Sequence, residues 1–164
     1  MFENILVPLD GSPVAEAALE SALYLAKVSQ GQLHLVRVPS HKLTLADYDE
    51  ASPADLAEEQ ACQDYLEKVA TPLRDEGVRV RCEVLESGPP AERILEVVEE
   101  DELDLVVLTS HGRSGLSRVL LGSVADTVSR NCRAPVLIVG RRSDALGRAK
   151  DQIKAKRRKP EVSS

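Results

Sequence analysis

A glycine-containing loop in the last third of the chain carries the residue types that hold phosphate groups. It has the sequence SHGRSG at 110–115 and follows the apolar run 105–108. Gly122 and Ser123 then start a pattern of helical periodicity, and a second apolar run covers 135–139. Glycines let a backbone approach an anion closely, and the unpaired N–H groups and dipole of a helix start attract negative charge. Strand, loop, helix and strand in this order predict a phosphate site.

The rest of the chain alternates between strand and helix patterns, which places this loop in a parallel sheet. Strands are predicted at 4–9, 32–38, 78–85, 105–108 and 135–139. Four helices are predicted between them, with start signals at Ser12-Pro13, Ser52-Pro53, Gly88-Pro90 and Gly122-Ser123. Regular alternation predicts an α/β fold in which an open five-stranded parallel sheet has helices on both faces.

A crevice at the carboxyl ends of the strands would bring Asp10 and the glycine loop together. Asp10 ends the first predicted strand, and open α/β sheets bind ligands where the strand order reverses, here between the first and fourth strands. Asp10 can instead cap the turn that follows it, and both roles stay open. Gly112, Gly115 and Gly122 can likewise serve only a tight connection. A lone loop histidine such as His111 is more often structural.

The remaining chemistry-bearing residues show no organised site in the sequence. No Gly-Lys pair exists, so the phosphate-binding motif GxxxxGK[ST] is absent, and no GxSxG nucleophile motif is present. His34 and His41 have no partner visible in the sequence and receive no role. The cysteines, Cys62, Cys82 and Cys132, lack CxxC spacing, which argues against a disulfide framework and against a zinc site.

Composition fits a single domain with an aliphatic core in a reducing compartment. Hydrophobic residues make up 43% of the 164 residues, while the chain has one Phe, three Tyr and no Trp. The scarcity of aromatic side chains argues against single-stranded nucleic-acid binding, which stacks bases on aromatic rings. The chain enters a strand at once without a leader pattern, and no apolar run approaches membrane-spanning length. We therefore expect a cytoplasmic location and no membrane partner.

Charge is distributed unevenly along the chain. Residues 141–164 contain nine Lys or Arg and three Asp or Glu, whereas the whole chain has a net charge of −6. Residues 1–140 therefore carry −12 and would repel nucleic acid and anionic membranes. We predict a folded domain over 1–140 and a basic, flexible tail over 141–164, and only the tail would contact nucleic acid, weakly.

Several motifs of this sequence resemble those of the universal stress protein family. They are ILVPLDGS at 5–12, Gly88-x-Pro90-Ala91, HGRSGL at 111–116 through LGSVA at 121–125, and APVLIV at 134–139. The motifs stand in the family's order and at the family's spacing over about residues 2–140. Nucleotide-binding members resemble one another in a glycine, two residues, a glycine, nine residues and then Gly-Ser or Gly-Thr. Gly112 and Gly122-Ser123 match that pattern, while Thr109 stands in place of its first glycine.

The resemblance implies a fold, a ligand and an assembly. The fold would be a Rossmann-like sheet of strand order 3-2-1-4-5, of the adenine nucleotide alpha hydrolase-like type, in a stress-response regulator. The ligand would be ATP or AMP, with Mg²⁺ reaching Asp10 when it accompanies ATP, and no other metal is expected. Two copies would pair through the strand Pro135–Val139 into a homodimer.

The same resemblance implies which residues would surround the nucleotide. Pro8, Asp10 and the backbone at Val38 would line the adenosine side. The phosphate side would be lined by the glycine loop and the start of the next helix, at Thr109, Ser110, His111, Gly112, Arg113, Ser114, Gly115, Gly122, Ser123 and Val124.

Two further function classes stay open on the residues alone. A slow ATPase or a nucleotidyl transferase would need a general base, and only Asp10 and His111 could supply one, neither with an evident partner. A ligand-free dimeric interaction module would result if Thr109 closed the site. Because neither candidate base has an evident partner, an enzyme is the weaker interpretation, and we expect slow ATP hydrolysis at most.

Deleting residues 144–164 should leave the melting temperature nearly unchanged. The tail lacks a large apolar face, since its only apolar residues that recur at helical spacing are Ala145, Leu146, Ala149 and Ile153. Association with a polyanion, measured over a salt series, should weaken on deletion because the lost charges are basic. A large loss of thermal stability would show instead that the tail docks on the domain.

Overall fold

Five parallel strands form the central sheet of the computed structural model, which describes residues 2–40, 53–110 and 121–140. The strands are β1 (Asn4–Pro8), β2 (Gln32–Arg37), β3 (Arg79–Val84), β4 (Leu105–Thr109) and β5 (Val136–Val139). Their order across the sheet is β3-β2-β1-β4-β5, and each neighbouring pair is parallel. The predicted strand order is confirmed, and the first and fourth strands are neighbours.

Five helices are described, one more than the sequence predicts. They are α1 (Pro13–Glu16), α2 (Ala18–Ser29), α3 (Pro53–Asp75), α4 (Pro90–Glu100) and α5 (Ser123–Asn131). The sequence predicts one helix after β1, and this is wrong, because the helix is interrupted at Ala17 and forms α1 and α2. The Ala17 N–H donates to Val14 O at 3.3 Å, a three-residue closure that tightens the turn and ends α1. None of the described helices has both the length and the apolar composition to cross a bilayer.

Alternation along the strands buries both faces of the sheet, as predicted. In β1, Ile5 and Val7 pack on one face and Leu6 packs on the other. The first face is covered by residues of α2 and α3, which are Ala18, Ala22, Ala26, Leu66, Ala70 and Leu73. The second face is covered by residues of α4 and α5, which are Ile94, Val97, Val98, Ala125 and Val128. Helices therefore enclose the sheet from both sides.

Helical periodicity in the sequence predicts that α3 packs inward through Ala61, Cys62, Tyr65, Leu66, Val69 and Leu73. The structure differs in that Ala61 is exposed and Ala70 is buried, and the buried row runs through Cys62, Leu66, Ala70 and Leu73. Steps of four, four and three residues keep these side chains on one helix face. Ala61 precedes that row by one residue and so lies about 100° around the helix.

Leu66→Ala should lower the free energy of unfolding by about 2–5 kcal/mol, since Leu66 is fully buried between α3 and the sheet and its truncation leaves a cavity. Leu56→Ala on the same helix is the matched control, because Leu56 is 55% exposed and should cost less than about 0.5 kcal/mol. Urea unfolding of both variants measures the difference. Equal losses would contradict the packing of α3 described above.

Candidate functional site

A cavity of about 290 Å³ lies at the carboxyl ends of β1 and β4, where the strand order reverses. It brings together residues from β1, the segment after β2, the start of α4, the end of β4 and the start of α5. They are Pro8, Leu9, Asp10, Ala15, Val36, Val38, Pro39, Ser40, Pro90, Ile94, Leu108, Thr109, Gly122, Ser123, Val124 and Ala125. Open parallel sheets bind ligands at this position.

Seven of the predicted site residues lie around this one cavity. They are Pro8, Asp10, Val38, Thr109, Gly122, Ser123 and Val124. Ser110 is described but does not line the cavity, and it lies at the base of the loop that follows β4. His111, Gly112, Arg113, Ser114 and Gly115 lie outside the described residues, so their predicted phosphate contacts stay predictions.

The turn after β1 fixes the position of Asp10. The Ser12 N–H donates to Asp10 Oδ1 at 2.9 Å, and Ser12 Oγ accepts the Ala15 N–H at 3.2 Å. Gly11 has a φ of +82°, a left-handed conformation that glycine adopts without strain. An added Cβ there would lie 3.1 Å from the Arg37 guanidinium. The capping role of Asp10 is therefore present, and the same side chain also lines the cavity.

The start of α5 presents backbone donors at the cavity. The Asp126 N–H donates to Gly122 O at 2.9 Å and makes the first helical hydrogen bond. The helix itself supplies no acceptor for the N–H groups of Ser123, Val124 and Ala125. Gly122 has φ −60° and ψ 151° and makes no side-chain cap. These backbone angles do not by themselves require glycine.

Backbone hydrogen bonds join Ser110, which follows β4, to the start of α5 and to the end of β5. The Gly122 N–H donates to Ser110 O at 2.7 Å, and the Ser110 N–H donates to Val139 O at 3.2 Å. Thr109 is the last residue of β4 and pairs with Val139 in the parallel register. Thr109 therefore has ordinary extended backbone. It adds a side chain to the cavity wall at a position where the pattern of the nucleotide-binding members has glycine.

The cavity wall is apolar on most of its surface and polar at one edge. Leu9, Val36 and Ile94 belong to the apolar part, and a flat aromatic ring of a ligand would bury its faces against such side chains. Among the described residues of the wall, Asp10 has the single ionisable side chain. The arrangement can hold an apolar ring and an anionic group together, but it offers few groups for acid–base chemistry.

Comparison with known proteins agrees with the motifs. The sequence profile of the Universal stress protein family matches residues 1–140. The chain belongs to the universal stress protein family. Universal stress protein MJ0531 of Methanocaldococcus jannaschii is 34% identical over 142 residues, which cover 85% of this chain and 82% of the relative.

Solved universal stress proteins have the same fold. The structure of UspA from Lactobacillus plantarum is 27% identical, with a TM-score of 0.72, and the match covers 84% of this chain and 97% of that one. A universal stress protein in complex with cAMP is also 27% identical, with a TM-score of 0.61 and a match over 84% of this chain and 96% of that one. The predicted Rossmann-like fold and family membership are therefore confirmed.

Sequence reasoning missed part of the cavity wall. Pro39 and Ser40 follow β2, and Ile94 lies one turn into α4. The Ser40 N–H donates to Glu58 Oε1 on α3 at 2.7 Å, a contact between distant segments that no local pattern reveals. Pro90 had a signal, because the Gly88-x-Pro90-Ala91 motif belongs to the family resemblance, yet it was interpreted only as a helix start.

Proposed function

We propose that this universal stress protein binds an adenine nucleotide, ATP or AMP, in the crevice between β1 and β4, and acts as a homodimeric stress-response regulator. The observation that carries the proposal is the cavity that joins an apolar wall to the start of α5. Its volume, about 290 Å³, is near the lower end of the range for small-molecule sites. The related universal stress protein in complex with cAMP supports the ligand class.

The two ends of the cavity suit the two ends of a nucleotide. Pro8, Asp10 and Val38 would lie beside the adenosine, with the Asp10 carboxylate as an acceptor for ribose hydroxyls. The Ser123 hydroxyl and the N–H groups at the start of α5 would donate to phosphate oxygens. If ATP brings Mg²⁺, the Asp10 carboxylate is the hard oxygen ligand that this ion prefers.

Rough magnitudes make the proposal reasonable. A hydrogen bond to a charged group contributes about 1.5–3 kcal/mol. Three or four such bonds and a buried adenine, less the entropic cost of association, correspond to micromolar affinity, about −8 kcal/mol.

Calorimetry with ATP and with AMP should show binding to the full chain and a graded response of four variants. Gly122→Val should abolish binding, because its side chain would enter the phosphate space beside Ser123. Ser123→Ala should weaken binding by about 1–3 kcal/mol, the loss of one hydrogen bond to a charged acceptor. Asp10→Ala should weaken the binding of ATP and of AMP to the same extent. Thr109→Gly should leave binding unchanged or tighten it.

Ser129→Ala is the matched control for Ser123→Ala, since Ser129 lies on the same helix and its hydroxyl donates within the helix to Asp126 O. It should bind as the wild type does. Strong heat from Thr109→Gly together with no heat from the wild type would mean that the natural protein has lost its nucleotide site.

Two further measurements separate the alternative functions. Mass spectrometry of gently released ligand distinguishes a nucleotide-binding protein from a ligand-free interaction module. A phosphate-release assay tests for slow ATP hydrolysis.

The outer edge of β5 supports the proposed homodimer. β5 is the last strand of the sheet, and an apolar edge strand is an aggregation hazard unless it is paired or covered. Val136 and Ile138 pack against the core, while Leu137 is 37% exposed and lies beside Tyr24, which is 68% exposed. Two-fold pairing of β5 with a second copy would remove this apolar edge from water.

Leu137→Lys should shift the protein from dimer towards monomer, because it places a charge on the exposed side of β5. Leu56→Lys, at a 55% exposed position on α3, is the control and should not change the mass. Light scattering at several concentrations measures both. Ile138→Lys is a poorer probe, since Ile138 packs partly inward against the core and its replacement would also destabilise the domain. An unchanged dimer mass for Leu137→Lys would exclude this interface.

A further inference from the structure

A second polar cluster lies at the opposite end of the sheet from the nucleotide cavity. It contains His34 of β2, Arg81 and Glu83 of β3, and Asp101, which follows the last residue of α4. His34 is 4% exposed and is the single buried polar residue in the part of the chain that the structure describes. A buried imidazole among charges needs a physical reason, since burial of polar groups is costly unless they are paired.

The two ring nitrogens of His34 stand in different relations to the carboxylates of the cluster. Nε2 lies 2.8 Å from Glu83 Oε2, and Arg81 donates to that same oxygen at 2.8 Å. Arg81 also donates to Asp101 Oδ2 at 2.8 Å. Nδ1 lies 3.6 Å from Asp101 Oδ2, which is beyond hydrogen-bonding distance.

The proton of the neutral ring belongs on Nε2, so Nδ1 presents a lone pair. Burial and the Arg81 guanidinium lower the pKa of His34, while Glu83 and Asp101 oppose this effect, and the net direction favours the neutral ring that a metal ion requires. A carboxylate only accepts hydrogen bonds, so the contact with Glu83 requires the N–H at Nε2. The Nδ1 lone pair then faces the negative Asp101 carboxylate, an arrangement that a positive ion between them would stabilise.

Space and charge at this position also favour a cation. His34, Arg81 and Asp101 line a cavity of about 100 Å³ together with Asn4, Gln32 and Leu103, which is room for roughly three waters. With a neutral ring, two carboxylates and one guanidinium leave the cluster one negative charge in excess. The carboxyl end of α4 adds partial negative charge through its dipole.

We propose that His34 Nδ1 and the Asp101 carboxylate bind a divalent transition-metal ion of the Zn²⁺ type, with waters in the cavity as the remaining ligands. An imidazole nitrogen at about 2.0–2.1 Å and a carboxylate oxygen at about 2.0–2.2 Å from one tetrahedral zinc ion lie roughly 3.3–3.5 Å apart. The Nδ1–Oδ2 separation of 3.6 Å is close to this range. Glu83 then has the role of the carboxylate that accepts the other ring N–H and orients the imidazole.

Arg81 competes with the metal ion for the same carboxylates. Its guanidinium is bound to both Glu83 and Asp101, but its side chain is 56% exposed, so it can turn to solvent when a metal ion arrives. Metal occupancy would thus replace one cation by another and release Arg81 from the sheet surface. This competition separates a metal site from a purely structural ion-pair cluster.

Calorimetric titration of the metal-free full chain with Zn²⁺ tests the proposal. Wild-type protein should bind one equivalent at this site, and His34→Gln and Asp101→Asn should each weaken it at least tenfold. Glu83→Gln should weaken it roughly tenfold, through loss of ring orientation. Arg81→Gln should tighten it by about tenfold, because a competing positive charge is removed.

Control variants address other zinc ligands. His41→Gln/His111→Gln removes the two other histidines of the chain and should bind as the wild type does. A Cys62→Ser/Cys82→Ser/Cys132→Ser variant should also retain the site, and burial already raises the pKa of the Cys82 thiol to about 11, which disfavours its metal-binding thiolate form.

The outcomes decide the proposal in either direction. No saturable zinc binding by the wild type, or unchanged affinity in Asp101→Asn, would overturn it. If His34→Gln does not fold, as circular dichroism would show, Asp101→Asn and Arg81→Gln decide, since both positions are partly exposed. Loss of affinity in the first and a gain in the second support a metal site, whereas weakening in both would contradict the competition. A ¹⁵N NMR signal of His34 Nδ1 that shifts with Zn²⁺ would identify the coordinating atom.

Discussion

The complete enclosure of β1 is the constraint on which the rest of the structure depends. Ile5, Leu6 and Val7 have no exposed surface, and the strand is paired in parallel on both sides, with β2 and with β4. A strand buried in this way must satisfy every backbone group through its two neighbours. β2 lies on one side of β1 and β4 lies on the other. The strand order therefore reverses at β1, and the crevice opens at the carboxyl end of β1 and β4.

A parallel sheet also gives its two ends opposite electrostatic character, which relates the two proposed sites. Helices that follow parallel strands begin at the carboxyl edge of the sheet and return to its amino edge. The start of α5 therefore lies at the cavity beside Asp10, where its donors favour an anion, while the end of α4 lies near His34, where its carbonyl dipoles favour a cation. The same topology thus favours an anion at the carboxyl ends of the strands and a cation at their amino ends.

Features carried by local periodicity could be predicted from the sequence, and features that depend on distant contacts could not. Short apolar runs predicted most of the strands, and Ser12-Pro13 predicted the start of α1 through a cap that the structure contains. The break at Ala17 was missed because no Gly or Pro marks it. The partners of His34 were missed because Glu83 is 49 residues away and meets it only through the pairing of β2 with β3.

The described wall of the crevice would contact a ligand through groups that are held in fixed positions. Among its residues Asp10 has the one ionisable side chain, and Asp10 Oδ1 accepts the Ser12 N–H, which holds the carboxylate in place. Backbone donors at α5 do not titrate at all. Contacts of this kind recognise a ligand by the positions of its donors, acceptors and charges, so the rigid carboxyl end of the sheet supplies the geometry on which the proposed binding depends.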